Sequence, residues 1–190
     1  MKAISVSEAD IKTLDDEMVI IGRAQRDSRA FQPLYEKYFK SIYLFVLHRV
    51  ADKAVAGDVT SQVFLKALLN LKGFKFQGVP FSAWLYRVAL NECNAYFRKT
   101  KRERIVSIDH EAVETLHDEL THETQLEDLH ERLPTILERL SSDELQLLEL
   151  RFFEKRQFKE VAEILAITES HAKVKLYRLL EKMKKLFQTT

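Results

Sequence analysis

Residues Phe158–Phe187 read FKEVAEILAITESHAKVKLYRLLEKMKKLF, and their spacing predicts two helices around a short turn. The first carries Val161, Ala162, Ile164 and Leu165 on an inward face. Ala166-Ile167-Thr168 forms the turn, and the Thr168 hydroxyl can accept a bond from a backbone N–H opening the next helix. That second helix sets Ala172, Leu176, Leu179, Leu180, Met183 and Phe187 within one apolar arc at helical spacing. His171, Val174, Lys175, Arg178 and Lys182 fall on a different face. A helix packed by one side and cationic on another suits the DNA major groove, which admits a helix and is flanked by phosphates. The plain alternative is a helical hairpin whose basic face is merely solvated.

The rest of the chain is as helical in composition. Of 190 residues 46% are hydrophobic, enough for real cores, while only 4 are Gly and 3 are Pro. Leu, Glu, Lys and Ala abound, so the expectation is all-α, in one or two small domains. One cysteine, Cys93, rules out an internal disulfide and suits a reducing compartment. The N-terminus MKAISVSEADIK lacks a signal-peptide apolar core, and no apolar run approaches the roughly 20 residues needed to span a bilayer. The expectation is a soluble cytoplasmic protein without membrane insertion.

A net charge of +1 conceals strong segregation. Residues 1–104 hold 18 Lys/Arg against 11 Asp/Glu, residues 105–149 hold 2 against 13, and residues 150–190 hold 10 against 5. Basic blocks favour polyanionic partners, and DNA would repel the acidic one. The simpler account is clustering on solvated faces.

Along the chain, residues 1–14 read as a loose lead-in, and Glu17–Arg26 as a short helix with Met18, Ile21 and Ala24 inward. Asp27 can cap the next helix, Ser28–Val50, where Pro33 lies about a turn and a half in and is expected to bend it. Asp58–Leu71 is a further helix with Val59, Val63, Phe64, Ala67, Leu68 and Leu71 inward, Lys72–Pro80 a loop, and Phe81–Lys99 a fourth long helix. On that helix Arg87, Asn91, Asn94 and Arg98 form a stripe, while Glu92 falls unexplained in the apolar arc. The domain reading is therefore 15–104, an acidic linker over 105–130 with helical pieces allowed, and a second domain over 131–190. Ser142 and Asp143 are the expected caps near its start.

The Lys72–Lys101 block interleaves aromatics with cations and amides, among them Phe74, Lys75, Phe76, Gln77, Trp84, Tyr86 and Arg87. Single-stranded nucleic acid is held by this mix: aromatic faces take unstacked bases and cations track phosphates. Spacing assigns Phe81 and Trp84 to the core; Phe74 and Phe76 sit in the loop and are the better candidates for base contact.

These pieces, in order, resemble the extracytoplasmic-function sigma factors of the sigma-70 family. The resemblance rests on AFQPLYEKYF (30–39), DVTSQVFLKALLNL (58–71), PFSAWLYRVALNECNAYFRK (80–99) and LERLSSDELQLLELRFFEKRQFKEVAEILAITESHAKVKLYRLLEKM (137–183). It implies two helical domains, region 2-like and region 4-like, that bind core RNA polymerase and direct initiation at −10 and −35 promoter elements. It implies polymerase docking through Asp58, Ser61, Gln62 and Phe64. Lys75, Phe76 and Gln77, with Arg87, Asn91, Asn94, Arg98 and Lys99, would meet the melted −10 element. Thr168, Ser170, His171, Lys173, Val174, Lys175 and Arg178 would read the −35 duplex. It also implies an anti-sigma partner, and a linker threaded toward the polymerase RNA exit channel. The chain departs from the pattern at Ser61-Gln62, where Gln followed by Glu or Asp is usual, at Leu90 and Ala95, where Arg and Asp are frequent, and at Ala166, which replaces a turn glycine.

Rival readings are a free-standing duplex-DNA regulator, a metal sensor and an enzyme. The spacing of His110, His117, His122 and His130 does not stack them on one helical face, so no metal is expected. No phosphate-binding glycine loop, nucleophile–base set or HExxH is present, and Cys93 reads as packing, so neither catalysis nor a cofactor is expected.

Overall fold

The computed structural model describes residues 8–76, 78, 80–100, 110–120 and 126–189, with the side chains of 8–15, 110–112, 126–128, 130 and 189 excepted. Every regular element among them is helical: α1 (Glu8–Ala24), α2 (Gln32–Val50), α3 (Lys53–Asn70), α4 (Phe81–Thr100), α5 (His110–Leu120), α6 (Leu126–Leu137), α7 (Ser142–Leu148), α8 (Phe158–Leu165) and α9 (Glu169–Thr189). The chain divides into two compact units, Met1–Arg102 and Glu103–Thr190.

The first unit is α2, α3 and α4 packed on one another, with α1 laid against the segment that opens α2. Helix α1 begins at Glu8, so the reading of residues 8–14 as a loose lead-in is corrected; residues 1–7 lie outside the described part. The Asp27 cap acts as expected, accepting from Arg29 N at 3.0 Å, but it opens a 3₁₀ turn, Ser28–Phe31. Hydrogen bonds from the Arg29 side chain, then from its backbone N–H, hold the Asp27 carboxyl below the usual range. The α-helix proper starts only at Gln32, which puts Pro33 in its first turn. There no intrahelical N–H bond is forfeited, so the expected bend is replaced by a favourable start. Asp52 caps α3 through bonds from Ala54 N and Val55 N, extending it five residues before Asp58.

Aromatic rings fill this core. Phe45 and Tyr86 meet edge to face at 4.8 Å, and Phe31, Tyr35 and Phe39 surround Phe64. Burying one such ring stabilises the fold by about 1.5–3 kcal/mol. Arg49 is also buried, its guanidinium stacked 3.9 Å from the Phe45 ring centre. The placement of Glu92 in the apolar arc now has a cause: its carboxylate meets Lys66 Nζ at 2.6 Å and clasps α3 to α4. Glu17, almost fully buried, accepts from Lys37 at 2.6 Å and from the Tyr38 hydroxyl at 2.5 Å, tying α1 to α2.

In the second unit α6, α7, α8 and α5 gather on α9 and on a π-helical turn, Glu149–Phe153. Part of the stretch read as an acidic linker thus belongs to a packed domain. Val113, Leu116 and Leu120 of α5 are buried at i, i+3 and i+7 spacing, while Glu114, Asp118 and Glu119 face solvent. The high acidity of one face hid the apolar periodicity of the other. Ser141, rather than Ser142 or Asp143, caps α7: its hydroxyl accepts from Glu144 N, and Glu144 accepts from Ser141 N at 2.7 Å. Arg132 donates to the Phe187 carbonyl and lies against that ring, joining α6 to the end of α9.

Lys182 was expected on the cationic face of α9; it instead reaches Glu144 at 2.8 Å and binds α9 to α7. Burial pushes the Glu144 carboxyl up, but bonds from Lys182 and from the Ser141 N–H and hydroxyl outweigh it and leave it below the ordinary glutamate value. A lowered folded-state pKa stabilises the fold above the unfolded-state value, and that contribution is lost as pH falls through the folded one.

Candidate nucleic-acid interface

The helix-turn-helix forms as the spacing predicts. Val161, Ala162 and Ile164 are buried under Ala172, Leu176, Leu179 and Met183, and Thr168 Oγ1 accepts from His171 N at 3.2 Å. Ala166 takes the left-handed conformation, φ 54° and ψ 44°, that a turn glycine would adopt at no steric cost. For an alanine that conformation costs about 1–2 kcal/mol. Bonds from Ala166 N to Glu163 O and from Ile167 N to Ala162 O end α8 there despite the strain.

Thr168, Ser170, His171, Lys173, Val174 and Arg178 are exposed, and Lys175 is half-buried. They lie on the side of α9 turned away from the core. Lys173 pairs with Glu169 at 2.5 Å and sits 5.6 Å from the Phe158 ring centre, so it is held in place before any ligand arrives. Tyr177 completes this surface and was missed from sequence: at 67% exposure it lies one turn after Val174, which is 46% exposed. Its signal was an aromatic just outside the apolar arc. Val174 and Tyr177 offer apolar contact of the kind a thymine methyl makes, among cations that phosphates attract.

In the first unit the candidate −10 residues share α4 and the loop before it. Asn91, Arg98 and Lys99 are exposed; Arg87 and Asn94 are half-buried. Lys75 and Phe76 are exposed at the loop, whereas Gln77 lies outside the described residues. The two loop phenylalanines separate. Phe74 is buried, edge-on to Phe81 and 5.3 Å from Trp84, so its candidacy for base contact is withdrawn. Phe76 is 47% exposed and stays available to a base. Tyr86, also counted in the aromatic mix, belongs to the core. Gln25, just after α1, anchors the loop, its Nε2 donating to the Leu71 and Phe74 carbonyls at 3.0 and 2.9 Å. A lone glutamine one residue past a helix end carried no sequence signal for that task.

On α3, Asp58, Ser61 and Gln62 are exposed, and the Ser61 hydroxyl donates back to the Gly57 carbonyl. Phe64 is not: it is 4% exposed among Phe31, Tyr35 and Phe39, which corrects its placement on a docking surface. Two leucines are exposed on α3 instead. Leu65 and Leu69 are 49% and 69% exposed and continue the Asp58–Gln62 stripe at seven and eleven residues from Asp58.

His117 is the described member of the histidine set with its side chain, 4.0 Å from Asp118; the side chains of His110 and His130, and His122 altogether, lie outside the described part. No group of metal-ligating side chains gathers among the described residues. No helix there is long and apolar enough to cross a membrane.

Comparison with known proteins places both units in one family. The model of sigma-70 region 2 matches residues 34–103, and that of sigma-70 region 4 matches residues 136–185. The chain is 31% identical over 172 residues to the ECF RNA polymerase sigma factor BldN of Streptomyces coelicolor, covering 89% of this chain and 65% of BldN. It is 26% identical over 158 residues to the ECF RNA polymerase sigma factor SigM of Bacillus subtilis, covering 81% of this chain and 93% of SigM. Its fold is shared with the sigma factor RpoE solved with the anti-sigma factor NepR from Bartonella quintana: TM-score 0.55 at 17% identity, covering 84% of this chain and 97% of that one. A free-standing duplex-DNA regulator would account for the region 4 match alone, so the region 2 match removes that reading. Two domains of one family, in family order, establish that this chain belongs to the sigma-70 family, and both relatives named above are extracytoplasmic-function members.

Proposed function

We infer that this chain is a specificity subunit: it docks on core RNA polymerase and directs initiation at promoters with −10 and −35 elements. The observation that carries this reading is the pairing, on one chain, of a weakly charged, leucine-bearing face on α3 with a cationic, helix-turn-helix face on α9. The first suits a protein partner and the second a duplex.

In this reading Asp58, Ser61, Gln62, Leu65 and Leu69 meet the polymerase, with Phe64 holding α3 in position from beneath. Thr168, Ser170, His171, Lys173, Val174, Lys175, Tyr177 and Arg178 meet the −35 duplex. Phe76 receives an unstacked −10 base, Lys75 and Gln77 flank it, and Arg87, Asn91, Asn94, Arg98 and Lys99 track the melted strand. Extruding a base costs a few kcal/mol, and a fitting pocket offsets that cost only where the sequence matches. Neither DNA contact needs to be tight alone, because attachment to the polymerase raises the effective concentration of both.

The chain supplies choice of start site and no catalytic group; bond formation belongs to the polymerase. It acts where the polymerase is, in the cytoplasm. By analogy with the RpoE–NepR complex, an anti-sigma protein is its proposed regulator.

The test is transcription in vitro with purified core polymerase on a promoter library. Initiation dependent on this chain is the expected result, and failure to bind core or to direct any start overturns the reading. In the same assay Phe76→Ala lowers permanganate reactivity of −10 thymines while leaving closed-complex affinity unchanged. Normal melting by that variant removes Phe76 from the base-capturing role.

A further inference from the structure

Gln25 lies on none of the stretches that carry the sequence resemblance, the first of which opens at Ala30, yet it holds the loop that bears Phe76. A side-chain amide nitrogen has two N–H groups. Both are spent, on the Leu71 carbonyl at 3.0 Å and on the Phe74 carbonyl at 2.9 Å, partners 46 and 49 residues away. The Leu71 carbonyl also accepts from Phe74 N at 3.0 Å, which closes the 3₁₀ turn Leu71–Gly73. These bonds set the backbone at both ends of the segment that leads to Phe76. Two carbonyls facing one amide also dictate its orientation, since the opposite flip would set oxygen against oxygen.

We propose that Gln25 is a positioning residue for base capture: its amide fixes the chain from Leu71 to Phe74 so that Phe76 is presented, already placed, to an unstacked −10 base. The proposal rests on the −10 reading of Phe76 and extends it to a residue that need not touch DNA. Packing holds the loop at one point, where the buried Phe74 ring meets Phe81 and Trp84. A single seated ring leaves the backbone free to pivot about it, and the two bonds from Gln25 remove that freedom. Gln25 is itself well seated. Ile21 and Ala24 are buried just before it, and its backbone N–H donates to the Ile21 carbonyl at 2.9 Å. About two turns earlier on α1, Glu17 accepts from Lys37 and Tyr38, and the Tyr38 ring lies 5.7 Å from Phe81. The end of α1 thus reaches the loop by two routes, directly through Gln25 and indirectly through Tyr38, Phe81 and Phe74. A loop fixed before the base arrives loses less conformational freedom when the base docks, so more of the contact is left to offset unstacking.

The test uses holoenzyme reconstituted with Gln25→Ala or Gln25→Glu chain, the second of which keeps the side-chain length and removes the donors. The expected result for both is a loss of permanganate reactivity at −10 thymines by about two- to tenfold, the factor that a hydrogen bond carries. Affinity for core polymerase and for promoter duplex in the closed complex stays as in wild type. Gln25→Ala added to Phe76→Ala costs nothing further, because a residue that acts through Phe76 has nothing to place once that ring is gone. A contact that served only the fold would instead give losses that multiply in the double variant. Multiplying losses overturn the proposal, and so does normal opening by Gln25→Ala. If Gln25→Ala does not fold, Gln25→Met, which keeps the apolar stem without the donors, carries the same comparisons, and its failure to fold as well overturns the proposal. If Phe76→Ala itself opens the promoter normally, the underlying −10 reading falls and this proposal with it. If Phe76→Ala is impaired and the Gln25 variants are not, the Gln25 assignment alone is lost.

Discussion

Helices α3 and α9 each bury one side in a helical domain and expose the other, yet their exposed sides differ in kind. On α3 the outward residues are an acid, a hydroxyl, an amide and two leucines, and its nearby cation Lys66 is taken up by Glu92. On α9 they are Ser170, His171, Lys173, Val174, Tyr177 and Arg178, with cations set around two apolar groups. A leucine-bearing face gains by leaving water against a protein surface. A cationic face gains by displacing counterions from a polyanion. In the proposed function, two surfaces on one architecture select partners of different classes, and the selection is made by side chains that lie outside the core.

That contrast can be broken most sharply at Phe64, which helical spacing turns inward on α3 although the family resemblance counted it among the docking residues. Phe64→Ala lowers the stability of the first unit by about 3–5 kcal/mol in denaturant unfolding, whereas Leu69→Ala, on the same helix and exposed, changes it by about 0.5 kcal/mol or less. A stable Phe64→Ala chain that fails only in polymerase binding would invert the assignment.

Next in size is the leucine pair. Leu65→Ser with Leu69→Ser weakens binding to core polymerase by about 2 kcal/mol or more, roughly thirtyfold, and leaves −35 duplex binding as it was. Surface plasmon resonance against immobilised core reads the first effect, and fluorescence anisotropy with a duplex reads the second.

Arg178→Ala makes the reciprocal change. It costs about 1–3 kcal/mol on a −35 duplex and nothing on core polymerase. An equal loss on both partners would mean that α9 does not separate them.

The smallest expected effect is at the turn. Ala166→Gly relieves the left-handed alanine and stabilises the second unit by up to about 1 kcal/mol, read as a rise in melting temperature. It leaves partner choice untouched, because Ala166 carries no side chain that either surface uses.

Much of this was legible in the chain. The helix-turn-helix and the Asp27 and Thr168 caps follow from local rules of spacing and hydrogen bonding, which neighbouring residues suffice to apply, while the strain at Ala166 was signalled by the resemblance, which puts a glycine there. So do the exposed residues from Thr168 to Arg178, since an apolar arc on one side of a helix dictates what lies opposite. Helix α5 was obscured because its acidic face dominated the composition of residues 105–130, although Val113, Leu116 and Leu120 kept helical spacing.

Tertiary structure decided the rest, wherever a residue's fate depends on a partner far away in sequence. Whether Phe74 or Phe76 is free for a base depends on which ring fits between Phe81 and Trp84. Helical spacing already turned Phe64 inward; that it is sealed there depends on the rings of Phe31, Tyr35 and Phe39. Glu92 and Lys182 could be understood only once Lys66 and Glu144 were beside them. Periodicity reports that a helix has an inside; only packing against other elements says how wide that inside is, and the residues at its margin are the ones that the proposed function uses.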